Sequence, residues 1–551
     1  MGPSLDRHYI TLKMRFGKPM SDRVLTRAGA VVRRPFFALL ALAIFPGFSG
    51  ALVAQVPGPA DLRTPAEASE FTEYTSYEEM MEYLAQVRAA STDVRMGTYG
   101  ATWEGRELPY LIFSRPAVTR GWEAAALGQP VVELHANVHG GERTLRESLL
   151  ILVRNLATPG TPENDLLDHM VIVVSPQINP DGFEATPSPT RGNAWGIDMN
   201  RDYMKLEQPA IQNWVQNVLQ EWNPHVFVDG HNGGQFPYNL KYQCPGHADP
   251  DQRITRFCDE EIFPRIDDRL EAEGFHSFFW ARGDEDGWYG GQTDGRISRN
   301  YAGFANSIGI LFESPGWQEM ADGVRSGYLA FLATLEFVRD NPETVMNTVR
   351  EARRDAVLLG SEPRGEVAVQ MEVEPEDERV DYLIGGEDGE ILEITEASIY
   401  KRPVATLTRP RPYAYLLPRD AEDAVNLLRR HNITVEMLTE SIELEVDAYE
   451  LEGVSYEEIY NHKAAARVEV GDVVTIQESF PKGTYVVPAG QMQGRIVSHL
   501  LEPETEDNLI YWGTMNRWLP LAQLEEEGSE AALIPIYKLM SPLPVPARIV
   551  D

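Results

Sequence analysis

The sequence predicts an α/β protein with a mixed, mostly parallel sheet, helices on both faces of that sheet, and a β-rich α+β region at the C-terminus. Apolar runs rich in β-branched residues alternate with amphipathic segments, and several of these runs are apolar at nearly every position. Such strands are buried on both faces, which is typical of sheets covered by helices. The character of the chain changes near residue 359, where acidic segments punctuated by Gly and Pro begin.

The chain has 551 residues, which is more than a single domain usually holds. We therefore divide it into a signal peptide, a linker, a main α/β domain predicted to hold the chemistry, and a β-rich accessory region. In that order, these segments cover residues 1–54, 55–69, 70–358 and 359–551.

Residues 1–54 have the composition of a targeting leader. Arg33 and Arg34 precede an apolar run, and Ser49 and Ala51 supply small residues at the positions that a signal peptidase reads. A Pro-Gly pair interrupts the apolar run, which is short for a membrane span, so a membrane anchor is the weaker alternative. We expect an exported protein, periplasmic or secreted, with no stable membrane anchor after the leader is removed.

The main domain contains alternating strand-like and helix-like runs. The strand-like runs are residues 107–115, 131–138, 170–178, 225–230 and 308–313. The helix-like runs between them are residues 144–156, 209–222 and 254–274. In the accessory region, one clear helix is expected over residues 420–431 among strand-like segments.

Charge and cysteine content restrict the partners and the compartment. The net charge of −35 gives a surface that repels phosphate backbones, so we expect no nucleic-acid partner. The two cysteines, Cys244 and Cys258, leave two alternatives open. They form a disulfide in an oxidising compartment, or they are two buried thiols. The sequence contains no signal for the oligomeric state.

Polar side chains of chemical interest follow the strand-like runs of the main domain. His139 and Glu142 come after the run at 131–138, His231 follows the next-but-one run, and Glu313 ends the last run. Taken alone, a His-x-x-Glu turn is equally well explained as a polar, Gly-rich strand end. Several strand ends with such groups are much harder to explain by chance, because ligands of open α/β sheets bind beyond the carboxyl ends of strands.

An ordered set of motifs resembles the zinc carboxypeptidase family, the funnelins, over about residues 70–345: TWEGRELPYLIFSR, HGGERTLRESLL, INPDGFE, RGNAWGIDMNRDY, VDGHNGG and GILFES. The resemblance implies that family's fold and one zinc ion per chain, held by His139, Glu142 and His231. Two histidines and one carboxylate leave a fourth position for water, as in hydrolytic zinc sites. The resemblance also implies that Glu313 is the general base.

The same resemblance implies substrate contacts. Arg191 would stabilise the developing oxyanion as a catalytic residue, although a plain surface arginine remains an alternative. Asn200 and Arg201 would bind the terminal carboxylate of the substrate, for which the planar guanidinium is well suited.

Asp198 matches the carboxylate that binds the outer nitrogen of the first zinc histidine. The family's substrate-binding tyrosine corresponds to Tyr289 or Tyr301, because the spacing to the general base does not choose between them.

The resulting hypothesis is an exported zinc metallocarboxypeptidase that removes C-terminal residues from peptides with zinc-activated water. Its expected partner is a peptide with a free C-terminal carboxylate. The alternatives are a zinc-dependent deacylase or amidohydrolase on the same scaffold, and a non-catalytic binding protein. The accessory region is expected to supply no zinc ligand and no catalytic base, because the matched motifs all lie before residue 316.

Overall fold

The computed structural model describes residues 58–524 and 531–550. The predicted leader, residues 1–54, lies outside the described residues. Within the described part of the chain, no helix combines the length and the apolar composition that crossing a bilayer requires.

The main domain is built on a mixed sheet. Its strands and those of the adjoining loops are β1 (Val94–Ala101), β2 (Glu107–Phe113), β3 (Val131–Ala136), β4 (Val171–Ser175), β5 (Val226–His231), β6 (Leu240–Gln243), β7 (Ser277–Phe279), β8 (Ala281–Gly283), β9 (Trp288–Gly290) and β10 (Ile308–Glu313). The sheet order is β1-β2-β4-β3-β5-β10-β6-β7. The central strands β4, β3, β5 and β10 are parallel, whereas β1, β2 and β6 join the sheet by antiparallel pairs. This confirms the predicted sheet.

Helices cover both faces of this sheet, as predicted. They are α1 (Pro65–Ala68), α2 (Tyr77–Ala90), α3 (Gly121–Leu127), α4 (Thr144–Ala157), α5 (Pro162–Asp165), α6 (Pro180–Phe183), α7 (Pro209–Trp214), α8 (Gln220–Trp222), α9 (Gln252–Phe257), α10 (Phe263–Glu271), α11 (Ser298–Phe304), α12 (Met320–Asp340) and α13 (Pro342–Ser361). Met80, Leu149 and Leu329 of α2, α4 and α12 pack into the core on one face. Ile211 of α7 and Phe304 of α11 pack into the core on the other face.

The accessory region is β-rich with a few helices, which confirms the predicted class. Its elements are β11 (Glu366–Pro375), β12 (Val380–Gly385), β13 (Ile391–Ala397), β14 (Ile399–Pro410), β15 (Ala414–Leu417), α14 (Glu422–Arg430), β16 (Glu436–Leu438), β17 (Ile442–Tyr460), β18 (Lys463–Phe480), β19 (Tyr485–Pro488), α15 (Gly494–Leu501), α16 (Leu521–Leu524), β20 (Tyr537–Leu539) and β21 (Ala547–Ile549). An antiparallel sheet runs in the order β18-β17-β20-β15-β19-β16-β21. Strands β17 and β18 form one long hairpin.

The accessory region shares a hydrophobic core with the main domain. Tyr415 and Leu500 belong to the same buried cluster as Trp214 and Phe304. In addition, β14 adds to β9 as a parallel neighbour. The division that we propose at residue 359 falls inside α13. Because burial of apolar surface is the main favourable term in folding, the two parts stabilise each other.

The two cysteines form a disulfide between Cys244, which follows β6, and Cys258, which follows α9. The first of the two alternatives left open by the sequence is therefore the one observed.

Candidate active site

The three predicted metal ligands meet at the carboxyl end of the central strands. His139 and Glu142 lie in the turn between β3 and α4, and His231 is the last residue of β5, which neighbours β3 in the sheet. The Nδ1 atoms of His139 and His231 lie 2.8 and 2.7 Å from the two carboxylate oxygens of Glu142, and 3.1 Å from each other. The three side chains therefore present their donor atoms to one point.

The outer nitrogens of both histidines face carboxylates. His139 Nε2 lies 3.0 Å from Asp198 Oδ1, and His231 Nε2 lies 2.7 Å from Asp229 Oδ2. An Nε2–H that donates to a carboxylate leaves a lone pair on Nδ1 in the neutral ring. Two lone pairs only 3.1 Å apart repel each other, and a cation between them removes that repulsion. Two imidazoles and one carboxylate suit zinc, so the donor set fits the metal that the sequence implied.

Asp198 occupies the predicted position beside His139. Burial raises the pKa of this carboxyl, but the hydrogen bond from His139 and the charges of Arg201 and Arg191 lower it overall. Asp198 is therefore an ionised acceptor that fixes the tautomer of His139.

A buried chain of charges supports the second histidine. Asp229 lies between His231 and His135, whose Nε2 is 3.0 Å from Asp229 Oδ1, and the Nδ1 of His135 is 3.1 Å from Glu133. Burial lowers the pKa of His135, but the charges of Asp229 and Glu133 raise it to about 9. His135 is thus a paired cation behind the site and does not belong to the ligand cluster.

Glu313 ends β10 in register with His231 on β5 and lines a cavity of about 320 Å³ beside the metal ligands. A Cβ atom at position 233 would lie 2.7 Å from Glu313 Oε2, so Gly233 leaves room for this carboxylate. Burial, and then the charges of Glu142 and Asp229, raise the pKa of Glu313 to about 8 against the opposing charges of His231 and Arg299. A cation at the ligand cluster would favour the ionised form.

The predicted substrate-binding pair also lines the cavity. Asn200 is buried, and its Oδ1 accepts a hydrogen bond from the backbone of Ser298 at 2.9 Å. Arg201 donates to the carbonyl of Asn200 at 2.7 Å and to the side chain of Gln292. The guanidinium of Arg201 is thus oriented by neutral acceptors, which leaves its charge for an anionic ligand.

Arg191 lies at the edge of the same cavity. Its side chain is 53% exposed, with Nη1 at 3.1 Å from Glu142 Oε1 and Nε at 3.0 Å from Asp198 Oδ2. The loop thus brings Arg191 to the ligand cluster, and two carboxylates hold it there.

The tyrosines differ from the other predicted residues, since neither lines the cavity. Tyr301 lies in α11, is 2% exposed, and its hydroxyl is 2.8 Å from His431 Nδ1 in the accessory region. The prediction that Tyr301 binds substrate is therefore corrected, because its hydroxyl is used inside the protein. Tyr289 lies in β9 and stacks on Tyr400 with ring centroids 5.1 Å apart, so its role stays a prediction.

The structure adds residues that sequence reasoning missed. Trp280, Gln292 and Arg299 line the cavity together with Leu311. Their segment of chain crosses from β7 to β10, and pairing of β9 with β14 of the accessory region helps to fix its course. No local pattern in the sequence reports this long-range pairing, although the strand-like alternation in both segments is a weak signal for it.

The accessory region contacts the site at the tip of its long hairpin. Asn461 Oδ1 accepts a hydrogen bond from the backbone nitrogen of Asp198 at 3.1 Å, and Asn461 Nδ2 donates to the Asp198 carbonyl at 3.3 Å. Asn461 has a φ of 57°, a left-handed conformation that asparagine tolerates in tight turns. Beside it, His462 and Lys463 pair with Glu207.

A second cluster of donor groups, His247, His499 and Glu506, lies where the accessory region meets the main domain. The Nδ1 of His247 accepts a hydrogen bond from the backbone N–H of Asp249 at 3.0 Å. Nε2 of the neutral ring therefore bears the proton and donates to Glu506, 3.3 Å away. We interpret this cluster as a hydrogen-bonded contact between the two parts rather than a metal site.

Zinc binding should depend on His231. We expect the His231→Ala protein to retain little zinc after dialysis, because one of three ligands is gone and only one histidine remains. The measurement is elemental analysis of metal per chain. His276→Ala, which removes an exposed histidine, is the matched control and should keep one zinc. Full zinc occupancy in a folded His231→Ala protein would contradict the ligand assignment.

Comparison with known proteins agrees with this site. Residues 80–267 match the family model described as zinc carboxypeptidase. The chain is similar to "Carboxypeptidase 2" of Trichophyton tonsurans, with 25% identity over 510 residues that cover 86% of this chain and 90% of that protein. It is also 25% identical over 447 residues to "Carboxypeptidase 2" of Trichophyton rubrum, which covers 74% of this chain and 78% of that protein.

Among solved structures, a metallo-carboxypeptidase from Pseudomonas aeruginosa aligns with 50% of this chain and 70% of its own, at 21% identity and a TM-score of 0.39. The family match over residues 80–267 and the curated relatives together support a zinc carboxypeptidase domain in this chain and a zinc-dependent metallocarboxypeptidase activity.

Proposed function

We propose that this enzyme is an exported exopeptidase that removes single C-terminal residues from peptides, with Glu313 as its general base. The observation that carries the proposal is that one cavity holds both Glu313 and Arg201, next to the three metal ligands. A peptide whose terminal carboxylate binds Arg201 has its last peptide bond close to the base and the metal. The export of the chain rests on the composition of residues 1–54 alone.

His139, Glu142 and His231 would hold the zinc ion. When bound, zinc acts as a Lewis acid on a carbonyl and lowers the pKa of water. Glu313 would accept the proton of the attacking water and pass it to the leaving amine. Asn200 and Arg201 would orient the substrate, so that its scissile bond is held in position for the reaction. Arg191 would stabilise the negative charge that develops on the carbonyl oxygen, because its guanidinium lies beside Glu142.

The experiment that tests this function is a hydrolysis profile of the full-length, zinc-loaded protein on a mixed peptide library, read by mass spectrometry. We expect products shortened by one residue at a time from the C-terminus. Cleavage at internal bonds would contradict the exopeptidase assignment. Release of acyl groups without peptide cleavage would favour the alternative of a zinc deacylase.

We propose further that the accessory region positions Asp198 through the hairpin tip. Asn461→Ala removes two hydrogen bonds to the backbone of Asp198, each worth about 1 kcal/mol in net terms. We therefore expect kcat/KM to fall several-fold while the fold and the zinc content stay unchanged. Steady-state kinetics on one good peptide substrate provides the measurement.

Glu458→Gln changes an exposed residue of the same hairpin and is the control, which should match the wild type. Equal activity of the Asn461→Ala and wild-type enzymes would show that the hairpin tip does not orient the site.

A further inference from the structure

The cavity beside the zinc ligands contains three arginines, and their partners differ. Arg191 pairs with Glu142 and Asp198. For Arg201 and Arg299, no carboxylate lies within 4 Å anywhere in residues 58–524 and 531–550. One terminal carboxylate of a substrate would neutralise Arg201. Arg299 would then still have no carboxylate in contact, because the negative charge that acts on it most, that of the proposed base Glu313, lies beyond 4 Å.

Arg299 is buried to an unusual degree for an arginine. The residue is 2% exposed, and its Nε is buried without a hydrogen-bond partner among the described atoms. The hydrogen bond recorded for its guanidinium goes from Nη2 to the backbone carbonyl of Gln292. Burial lowers the pKa of Arg299 to about 10. A buried cation with no carboxylate in contact is costly, and a ligand that supplies this contact recovers part of that cost on binding.

One residue contacts both of the guanidinium groups that have no carboxylate within 4 Å in the described residues. Gln292 accepts a hydrogen bond from Arg201 with its side chain and one from Arg299 with its backbone carbonyl. Both guanidinium groups are therefore held against the same residue of the cavity. Ile297 and Leu311 line this cavity as well and offer apolar surface in it.

Two guanidinium groups that contact one residue of the cavity suit an amino acid that carries two carboxylates. From the juxtaposition of Arg201 and Arg299 around Gln292, we infer that the enzyme prefers peptides whose C-terminal residue is acidic, Glu or Asp. The terminal carboxylate binds Arg201, the side-chain carboxylate binds Arg299, and the methylene groups contact Ile297 and Leu311. This inference rests on the proposed exopeptidase function and adds its substrate class.

The test compares matched peptides that differ only in their last residue. We expect the full-length, zinc-loaded wild type to cleave a peptide ending in Glu on the order of 100-fold faster, as kcat/KM, than the same peptide ending in Gln. A peptide ending in Asp should likewise be cleaved with a higher kcat/KM than the same peptide ending in Asn. Equal cleavage of both members of each pair would overturn the inference and leave the exopeptidase function intact. Absence of cleavage of every free-acid peptide would instead refute the proposed function.

Two variants identify the residue responsible. Arg299→Met keeps the length and removes the charge, so the ratio of kcat/KM for the Glu peptide to kcat/KM for the Gln peptide should fall to about one. Arg299→Lys keeps the charge and should retain part of the discrimination. If kcat/KM falls equally on both peptides in a folded, zinc-loaded Arg299→Met enzyme, Arg299 does not bind the side-chain carboxylate. That result would overturn the inference.

A control and a folding-independent measurement complete the design. Arg265→Met removes an arginine of α10 whose side chain is 54% exposed and should leave the Glu/Gln ratio unchanged. If the Arg299 variants do not fold, product inhibition of the wild type gives the answer. Free glutamate should inhibit at lower concentration than free glutamine, and equal inhibition by the two amino acids would overturn the inference.

Discussion

The Glu313→Gln enzyme should lose hydrolysis by about 100- to 10,000-fold, which is the range that general acid–base groups contribute. The amide is nearly isosteric with the carboxylate, so the packing around β10 is preserved. It does not accept a proton at neutral pH, however, and the attacking water then has no base. The measurement is kcat on a good peptide substrate, together with zinc content and the thermal unfolding temperature of the variant.

A neighbouring glutamate provides the control for this prediction. Glu319 is exposed, precedes α12 and does not cap it through its side chain, so Glu319→Gln should behave as the wild type. We expect the Glu313→Gln protein to bind zinc and to unfold at nearly the wild-type temperature. Turnover at the wild-type rate would mean that Glu313 is a structural residue and that another group removes the proton.

The location of Glu313, the proposed base, could be predicted from the sequence because of a general property of parallel sheets. Strands β3, β5 and β10 are neighbours, so the residues that follow or end them meet at one edge. His139, His231 and Glu313 each stand at such a point, and the apolar runs before them identify the strands. Local pattern and sheet topology therefore agree that these side chains meet, whereas the resemblance to the zinc carboxypeptidases implied their roles as metal ligands and base.

Other parts of the site depend on contacts between distant segments. Arg299 lies in α11, and the loop before it is held by β14 and by Glu506 and Asp507, which accept hydrogen bonds from the backbone of Gly295 and Arg296. Spacing along the chain does not report these contacts. For the same reason the sequence offered two tyrosines without choosing between them.

The second large effect that we expect concerns the C-terminus of the substrate. The enzyme should cleave free-acid peptides and leave the same peptides uncut when their C-terminus is amidated. Arg201 is half-buried, is held by the carbonyl of Asn200 and the side chain of Gln292, and has no carboxylate within ion-pair distance in the described residues. An amidated peptide leaves this charge unpaired. Sites built for a polar group reject analogues that lack it by about 10,000-fold or more.

Variants of Arg201 separate recognition of the carboxylate from general damage to the site. Arg201→Ala should reduce the difference in kcat/KM between free-acid and amidated peptides, mainly by lowering kcat/KM for the free acid. Arg201→Lys keeps the charge but loses the planar fork, so its preference for the free acid should be intermediate. Both variants leave the metal ligands and Glu313 in place, and zinc content should therefore match the wild type.

Free-acid and amidated peptides distinguish the two classes of enzyme, because an endopeptidase does not require a terminal carboxylate on its substrate. In the wild type, kcat/KM on one peptide and its amide, measured with the same zinc-loaded preparation, gives the ratio directly. If the ratio of kcat/KM for the free acid to that for the amide is large and falls in Arg201→Ala, this guanidinium binds the terminal carboxylate. Equal cleavage of both peptides would exclude a carboxylate-dependent exopeptidase, since Arg201 would then not bind the terminal carboxylate. A zinc hydrolase acting on internal amide bonds or on acyl groups would be the function that remains.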